Sequence, residues 1–205
     1  MTELWRGEAP LILASKSSAR RSLLAAARIP FESCDSMLDE RAIESPLHAK
    51  GARGSAIALH LARAKALSVA ARQPRRLVLG ADQTLSIGGR TLTKPADRAA
   101  AAAQLQMLSG ATHELHSALC VARDGDILFE AAPSAALTVR PLSPAFIEAY
   151  LDEAGDAVRS SVGAYQVEGL GIHLFEWIEG DHSTILGLPL LPLLNFLREE
   201  GYLLA

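Results

Sequence analysis

Short apolar runs alternate with helix-like segments through the first half of the chain, and strand-like alternation dominates much of the second. Leu11–Ala14 follows Pro10 as a continuous apolar run of strand length and ends in the polar cluster Ser15-Lys16-Ser17-Ser18, after which RRSLLAAAR has the composition of a helix. A strand, a small polar turn and a helix in that order aim backbone N–H groups at whatever lies above the helix. Residues 32–54 are polar and broken by Pro46 and two glycines, and they read as a surface loop. A longer helix is predicted over residues 55–72, with Ile57, Leu61 and Ala64 marking one face. Lys65 falls on the apolar side of that helix, where an ammonium is out of place unless it reaches a cleft.

Residues 77–81 form the clearest buried strand, with Asp82 at its carboxyl end, Gly88-Gly89 as a turn and Lys94-Pro95 closing the segment. Asp97 can N-cap an alanine-rich helix to Leu108, which Gly110 ends. Asp124-Gly125 lies between two strand-like runs as a hairpin signal, and Ser143-Pro144 opens a helix through Leu151. Residues 163–176 are glycine-rich and read as strand, Gly180-Asp181 suggests a second turn, and a helix covers residues 190–199. Alternation first and hairpins afterwards predict an α/β fold with a mixed sheet. No repeat or linker interrupts residues 1–205, which read as one domain.

Composition narrows the classes. The 205 residues are 49% hydrophobic and 21% charged, which supports a real core and excludes disorder, a collagen-like repeat and a disulfide scaffold. A net charge of −3 provides no global basic field for nucleic acid or an anionic membrane. Cys34 and Cys120 are too few to staple the chain and read as free thiols in a reducing compartment. The first twenty residues lack a signal-peptide pattern, and the greasiest stretch, residues 185–197, is too short for a bilayer and contains Pro189 and Pro192. A cytoplasmic location is expected. The 20 basic residues include only four lysines, Lys16, Lys50, Lys65 and Lys94.

Asp82 is the strongest local signal, because a carboxylate at the carboxyl end of a buried strand opens onto the crevice where α/β proteins bind ligands. Glu40, beside Asp39, is the candidate second carboxylate; two such groups bind Mg²⁺ with retained waters, and the ion then holds substrate phosphates. Arg20, Lys65 and Lys94 form the basic set that a phosphate chain requires, Lys94 being held extended by Pro95. Arg21, Arg28 and Lys50 read as surface residues. His113 and His116 stand three apart on a predicted strand, so they face opposite sides and cannot simply share a metal. Asp82-Gln83-Thr84 lacks the second aspartate of the haloacid-dehalogenase pattern, and Ser15, Ser17 and Ser18 have no positioned histidine for serine hydrolysis.

Four segments in order, LILASKSSARRSLL, LARAKA, LGADQTLSIGGRTLTKP and GAYQVEGLGIHLFEWIEGDHSTILGLPL, resemble the Maf family of nucleoside triphosphate pyrophosphatases over nearly the whole chain. The resemblance implies an elongated mixed α/β fold, its sheet flanked by helices, with a cleft between two lobes. It also implies hydrolysis of a nucleoside triphosphate to the monophosphate and pyrophosphate with a divalent cation, Mg²⁺ or Mn²⁺, and a homodimer in many members. By that analogy Asp82 activates water for attack on the α-phosphorus. Ser15, Arg20, Lys65 and Lys94 contact the substrate, and Glu40 holds the cation with Asp82.

Substrate choice in the family tracks the positions that are Ala19, Gln83 and Glu168 here. Gln83 and Glu168 match the 7-methyl-GTP branch rather than the dTTP/UTP branch, and Ala19 matches neither. A carboxylate suits guanine, whose N1–H and exocyclic amine both donate, whereas uracil offers one N–H flanked by carbonyls. The tryptophan that would stack on a cationic purine is missing at Ala19, which leaves Trp5 and Trp177 as candidates. Ser18 replaces the family's usual proline. The expected substrate is a modified or non-standard nucleotide, as for a house-cleaning enzyme. The alternatives are a dTTP/UTP pyrophosphatase and a nucleotide-binding regulator of septum formation without turnover.

Overall fold

One sheet of eight strands runs through the computed structural model, which describes residues 3–49 and 51–205; Met1, Thr2 and Lys50 lie outside the described residues. The strands are β1 (Leu11–Ala14), β2 (Phe31–Ser33), β3 (Val78–Ile87), β4 (Arg90–Leu92), β5 (Thr112–Arg123), β6 (Asp126–Ala131), β7 (Ser134–Val139) and β8 (Phe175–Glu179). Their order is β2-β1-β3-β5-β7-β8, with β4 added on β3 and β6 on β5. β1 is parallel to β2 and β3, and the remaining pairings are antiparallel, which makes the mixed sheet anticipated from the alternation of elements. The helices are α1 (Ser18–Ala26), α2 (Glu40–Ala49), α3 (Gly54–Ala70), α4 (Arg98–Leu108), α5 (Pro144–Ala154), α6 (His182–Ile185) and α7 (Leu190–Glu199). None is long and apolar enough to cross a membrane.

β3 and β5 pair along nine consecutive positions, and each serves different neighbours at its two ends. β3 pairs with β1 only as far as Gly80 and with β4 only from Leu85. β5 carries β7 over its first half and β6 over its second. Strand periodicity puts Gly80, Asp82 and Thr84 on one face of β3 and Leu79, Ala81, Gln83 and Leu85 on the other. The first face packs beneath α3 around Ala58, Ala62, Ala66 and Cys120. On the second face α1 and α7 cover one half of the sheet through Leu24, Leu193 and Leu197, while α4 and α5 cover the other half through Leu105, Leu108 and Leu151. The two halves are the lobes on either side of the strand's midpoint.

Local signals hold where capping or turn chemistry is strong. The Asp97 carboxylate accepts from Ala100 N at 2.8 Å and the Ser143 hydroxyl from Phe146 N at 3.1 Å, starting α4 and α5. Gly88 and Gly89 turn β3 into β4 at φ 54° and 78°. Three expectations are corrected. Residues 32–54 are not simply a loop: β2 and the ten-residue α2 lie there, with the Asp39 carboxylate accepting from Ala42 N at 3.1 Å. Pro46 is tolerated inside this short, wholly unburied helix. Asp82 does not end its strand, because β3 continues through Ile87. Residues 163–176 hold 3₁₀ turns at Val162–Ala164 and Leu170–Leu174 joined by an irregular turn, with strand only from Phe175.

Gly80 is required by close approach, since a Cβ there would be driven into the Ala62 carbonyl and to 2.6 Å from Ala66 N. Gly80→Ala is expected to destabilise the fold by about 1–3 kcal/mol through this overpacking, read as a lower urea midpoint. An unchanged midpoint would show that α3 can lift from β3 without loss.

Candidate active site

A cleft of about 900 Å³ opens over β3 between the end of β1 and the start of β4. Its floor is Asp82, which the face of Gly80 carries under α3. Lys65, on the apolar side of α3 as its spacing anticipates, meets that carboxylate from above: Nζ donates to Asp82 Oδ1 at 2.6 Å and reaches Glu40 Oε1 at 2.9 Å. Asp82 and Lys65 are only 7% and 6% exposed, so the pair interacts with little solvent between its charges. Burial pushes the Asp82 carboxyl above its ordinary range, while the Lys65 ammonium and Arg20 guanidinium pull the other way.

The β1–α1 turn supplies the adjoining wall. Ser17 N-caps α1 by accepting from Arg20 N, and this end of the helix lies on the cleft through Ser18 and Ala19. Ser15 Oγ accepts from Arg20 Nη1 at 3.2 Å and from Ser17 N at 3.2 Å. Arg20 itself is buried, with Nε donating to the Gly187 carbonyl at 2.8 Å and Nη1 to the Ala81 carbonyl at 2.9 Å. It therefore brings positive charge to the site while tying α1, β3 and the loop after α6 together. Lys94 stands exposed on the opposite wall beyond β4 and makes no ion pair with a described residue.

Ala19, Gln83 and Glu168, the positions that the resemblance associates with base choice, also line this cleft. Ala19 is half-buried in the first turn of α1, Gln83 lies beside Asp82 on the other face of β3, and Glu168 is exposed. Glu168 sits on a tight turn in which Gly169 N donates to the Gln166 carbonyl at 3.2 Å. Neither tryptophan lines the cleft, which corrects the expectation of a stacking partner: Trp5 is buried beside Tyr202, and Trp177 is on β8. His113 and His116 separate as their spacing requires. His113 Nε2 bonds the Tyr165 hydroxyl at 2.6 Å, and His116 bonds Ser86 and Ser134.

Residues missed from the sequence come from α2: Glu44 and His48, at i+4 and i+8 from the anticipated Glu40, line the cleft with it, as does Arg41. Burial, with the Asp82 and Glu40 charges, pushes the Glu44 carboxyl up. The i+4 spacing was the signal, but it has meaning only once the segment is known to be helical.

Asp82 and Glu40 each commit one oxygen to Lys65 and leave the other uncommitted among the described residues. This hard-oxygen pair suits Mg²⁺ or Mn²⁺ bound jointly with substrate phosphates. It is not a protein cage, and no group of three His, Cys, Asp or Glu side chains among the described residues is arranged for a metal.

A buried carboxylate–ammonium pair, a helix N-terminus and facing cations have the chemistry to receive a polyanion, with a carboxylate on the floor able to accept a proton. A protein of Rhodopseudomonas palustris (strain BisB18) named nucleoside triphosphate pyrophosphatase is 57% identical over 201 residues, covering 98% of each chain. One of the same name from Bradyrhizobium diazoefficiens is 58% identical, covering 96% of each. A Rhizobium johnstonii protein named 7-methyl-GTP pyrophosphatase is 54% identical over 93% of this chain and 96% of its own. Residues 10–200 match the family model described as Maf-like protein, so the four ordered motifs, the mixed sheet and the cleft they build have one source: the chain belongs to the Maf family.

Proposed function

We propose that this chain is a cytoplasmic nucleoside triphosphate pyrophosphatase that cleaves a guanine-type nucleotide, 7-methyl-GTP foremost, to the monophosphate and pyrophosphate with Mg²⁺ or Mn²⁺ at Asp82 and Glu40. The observation that carries it is the buried Asp82 carboxylate, paired with Lys65 on the floor of a cleft walled by a helix N-terminus and Lys94. The names of the relatives support the reaction class, and the Rhizobium johnstonii relative supports the base. The free state of Cys34 and Cys120 accords with a reducing compartment.

Asp82 takes the proton from the water that attacks the α-phosphorus, and the bond to the bridging oxygen of pyrophosphate breaks. Lys65 favours the ionised, proton-accepting form of Asp82 and adds positive charge where the phosphoryl oxygens gather charge. The α1 N-terminus and Lys94 hold the phosphate chain from opposite walls, while Arg20 adds charge from behind the β1–α1 turn. A bound divalent ion supplies Lewis-acid neutralisation of the phosphate oxygens. Glu168 reads the base by accepting from a guanine's N1–H and exocyclic amine, and Ala19 leaves the space beside it without an aromatic platform.

Asp82→Asn is expected to lower pyrophosphate release about 100-fold or more in a protein that still folds, with a lower melting temperature because Lys65 loses its buried partner. Near-normal turnover would remove Asp82 from the mechanism. Chelation of divalent ions should abolish release from the wild-type protein and added Mg²⁺ or Mn²⁺ restore it; persistence in excess chelator contradicts the cation site. Glu168→Gln should shift the ratio of kcat/KM for guanine over uracil nucleotides towards uracil, and a fixed ratio would show that Glu168 does not read the base.

A further inference from the structure

Gln83 lines the cleft, yet its amide nitrogen is committed to bonds within the protein. Nε2 donates to Ser117 Oγ at 2.9 Å and to the Ile185 carbonyl at 2.9 Å, with the Thr184 carbonyl at 3.3 Å. Ser117 pairs with Gln83 directly across β3 and β5, is fully buried, and donates its own proton to the Thr184 carbonyl at 2.6 Å. Each link has only one polarity. A backbone carbonyl can only accept, so the Ser117 proton points at Thr184 and its lone pairs face Gln83. The side of the Gln83 amide against Ser117 and Ile185 must therefore be the NH₂, and a flipped amide would set its oxygen against two carbonyls. Oε1 is left without a hydrogen bond among the described residues. It lies on the side of Gly187 and Arg20, with the site of a Gly187 Cβ only 3.5 Å away, on the wall that Ile185, Leu186 and Gly187 give the cleft.

We infer that Ser117 is a positioning residue: with the carbonyls of Thr184 and Ile185 it fixes Gln83 so that a hydrogen-bond acceptor, never a donor, faces the base. This rests on the nucleotide reading of the cleft and gives it a polarity. Gln83 Oε1 and the Glu168 carboxylate are both acceptors, and a pocket built from acceptors selects a base edge carrying N–H donors. A guanine edge presents two adjacent donors, whereas a uracil edge presents carbonyl oxygens on both sides of its single N–H. The same bonds tie the loop after α6 to the middle of the sheet, so loss of Ser117 also loosens the wall holding Oε1.

The test measures steady-state turnover of 7-methyl-GTP, GTP and UTP together with calorimetric binding of the non-hydrolysable α,β-methylene analogues of GTP and UTP. The proteins are wild type, Ser117→Ala, Ser117→Thr, Gln83→Met and the double variant Ser117→Ala/Gln83→Met. Ser117→Ala should lower the guanine-over-uracil ratio about three- to tenfold, the range for loss of one hydrogen bond. The change should fall in KM, with kcat on GTP within about twofold. Ser117→Thr keeps the hydroxyl and should keep the ratio. In the Gln83→Met background Ser117→Ala should change the ratio no further, which a purely structural serine would not predict. An unchanged ratio in folded Ser117→Ala, additive effects in the double variant, or equal wild-type binding of both analogues overturns the proposal. Absence of turnover with a retained binding preference would instead overturn the pyrophosphatase reading, and the binding ratios would still decide the role of Ser117.

Discussion

The middle of β3 is hydrogen-bonded along one edge only. Its pairing with β1 stops at Gly80 and its pairing with β4 starts at Leu85, so residues 81–84 lean on β5 alone. The cleft over β3 depends on that gap. A fully paired strand would have buried its edge beneath a neighbour, and a strand ending at Ala81 would have left Asp82 on a mobile loop. Here the carboxylate keeps the rigidity of a long central strand while the missing neighbour leaves room for a ligand above it. Strand alternation then gives the cleft two chemistries: Asp82 under α3 and Gln83 towards the loop after α6.

The charges at the gap follow from burial. A carboxylate and an ammonium at such low exposure are each costly alone, and each is tolerable because the other is 2.6 Å away. Glu40 gives Lys65 a second partner from the solvent side. Arg20 is equally buried and is held by carbonyls rather than paired directly with a carboxylate, which leaves it positive charge to offer where a phosphate chain would lie.

The parts of the fold that were legible in the sequence are those with local chemistry. The N-caps Asp97 and Ser143, the Gly88-Gly89 turn and the apolar runs of β1 and β3 all stand where their residues place them. Lys65 was legible because an ammonium on the greasy side of a helix violates the pattern around it. The α2 segment was not, since Pro46 and a run of polar residues imitate a loop and no buried stripe marks the helix. The glycine-rich block misled in the opposite direction: Gly163 at φ 79° and Gly171, packed onto the Gln166 backbone, serve turns that alternation alone imitates as strand. The bonds among Gln83, Ser117 and Thr184 join residues far apart in sequence, so no local pattern could announce them.

A helix that buries none of its residues has no core to hold it, and α2 is such a helix. What fastens its first turn is largely polar: Glu40 on Lys65, Asp39 on the backbone of Ala42, and the preceding segment through the bond from Ser68 to the Ser36 carbonyl. Its stability is therefore local and separable from that of the sheet. An occupant of the cleft that bonds to the face bearing Glu40, Glu44 and His48 lends this helix the anchorage its own sequence lacks. By linkage, the free energy needed to unfold residues 40–49 rises with occupancy while that of β3 and β5 stays set by the core, which makes α2 the part of the protein whose order reports whether the cleft is full.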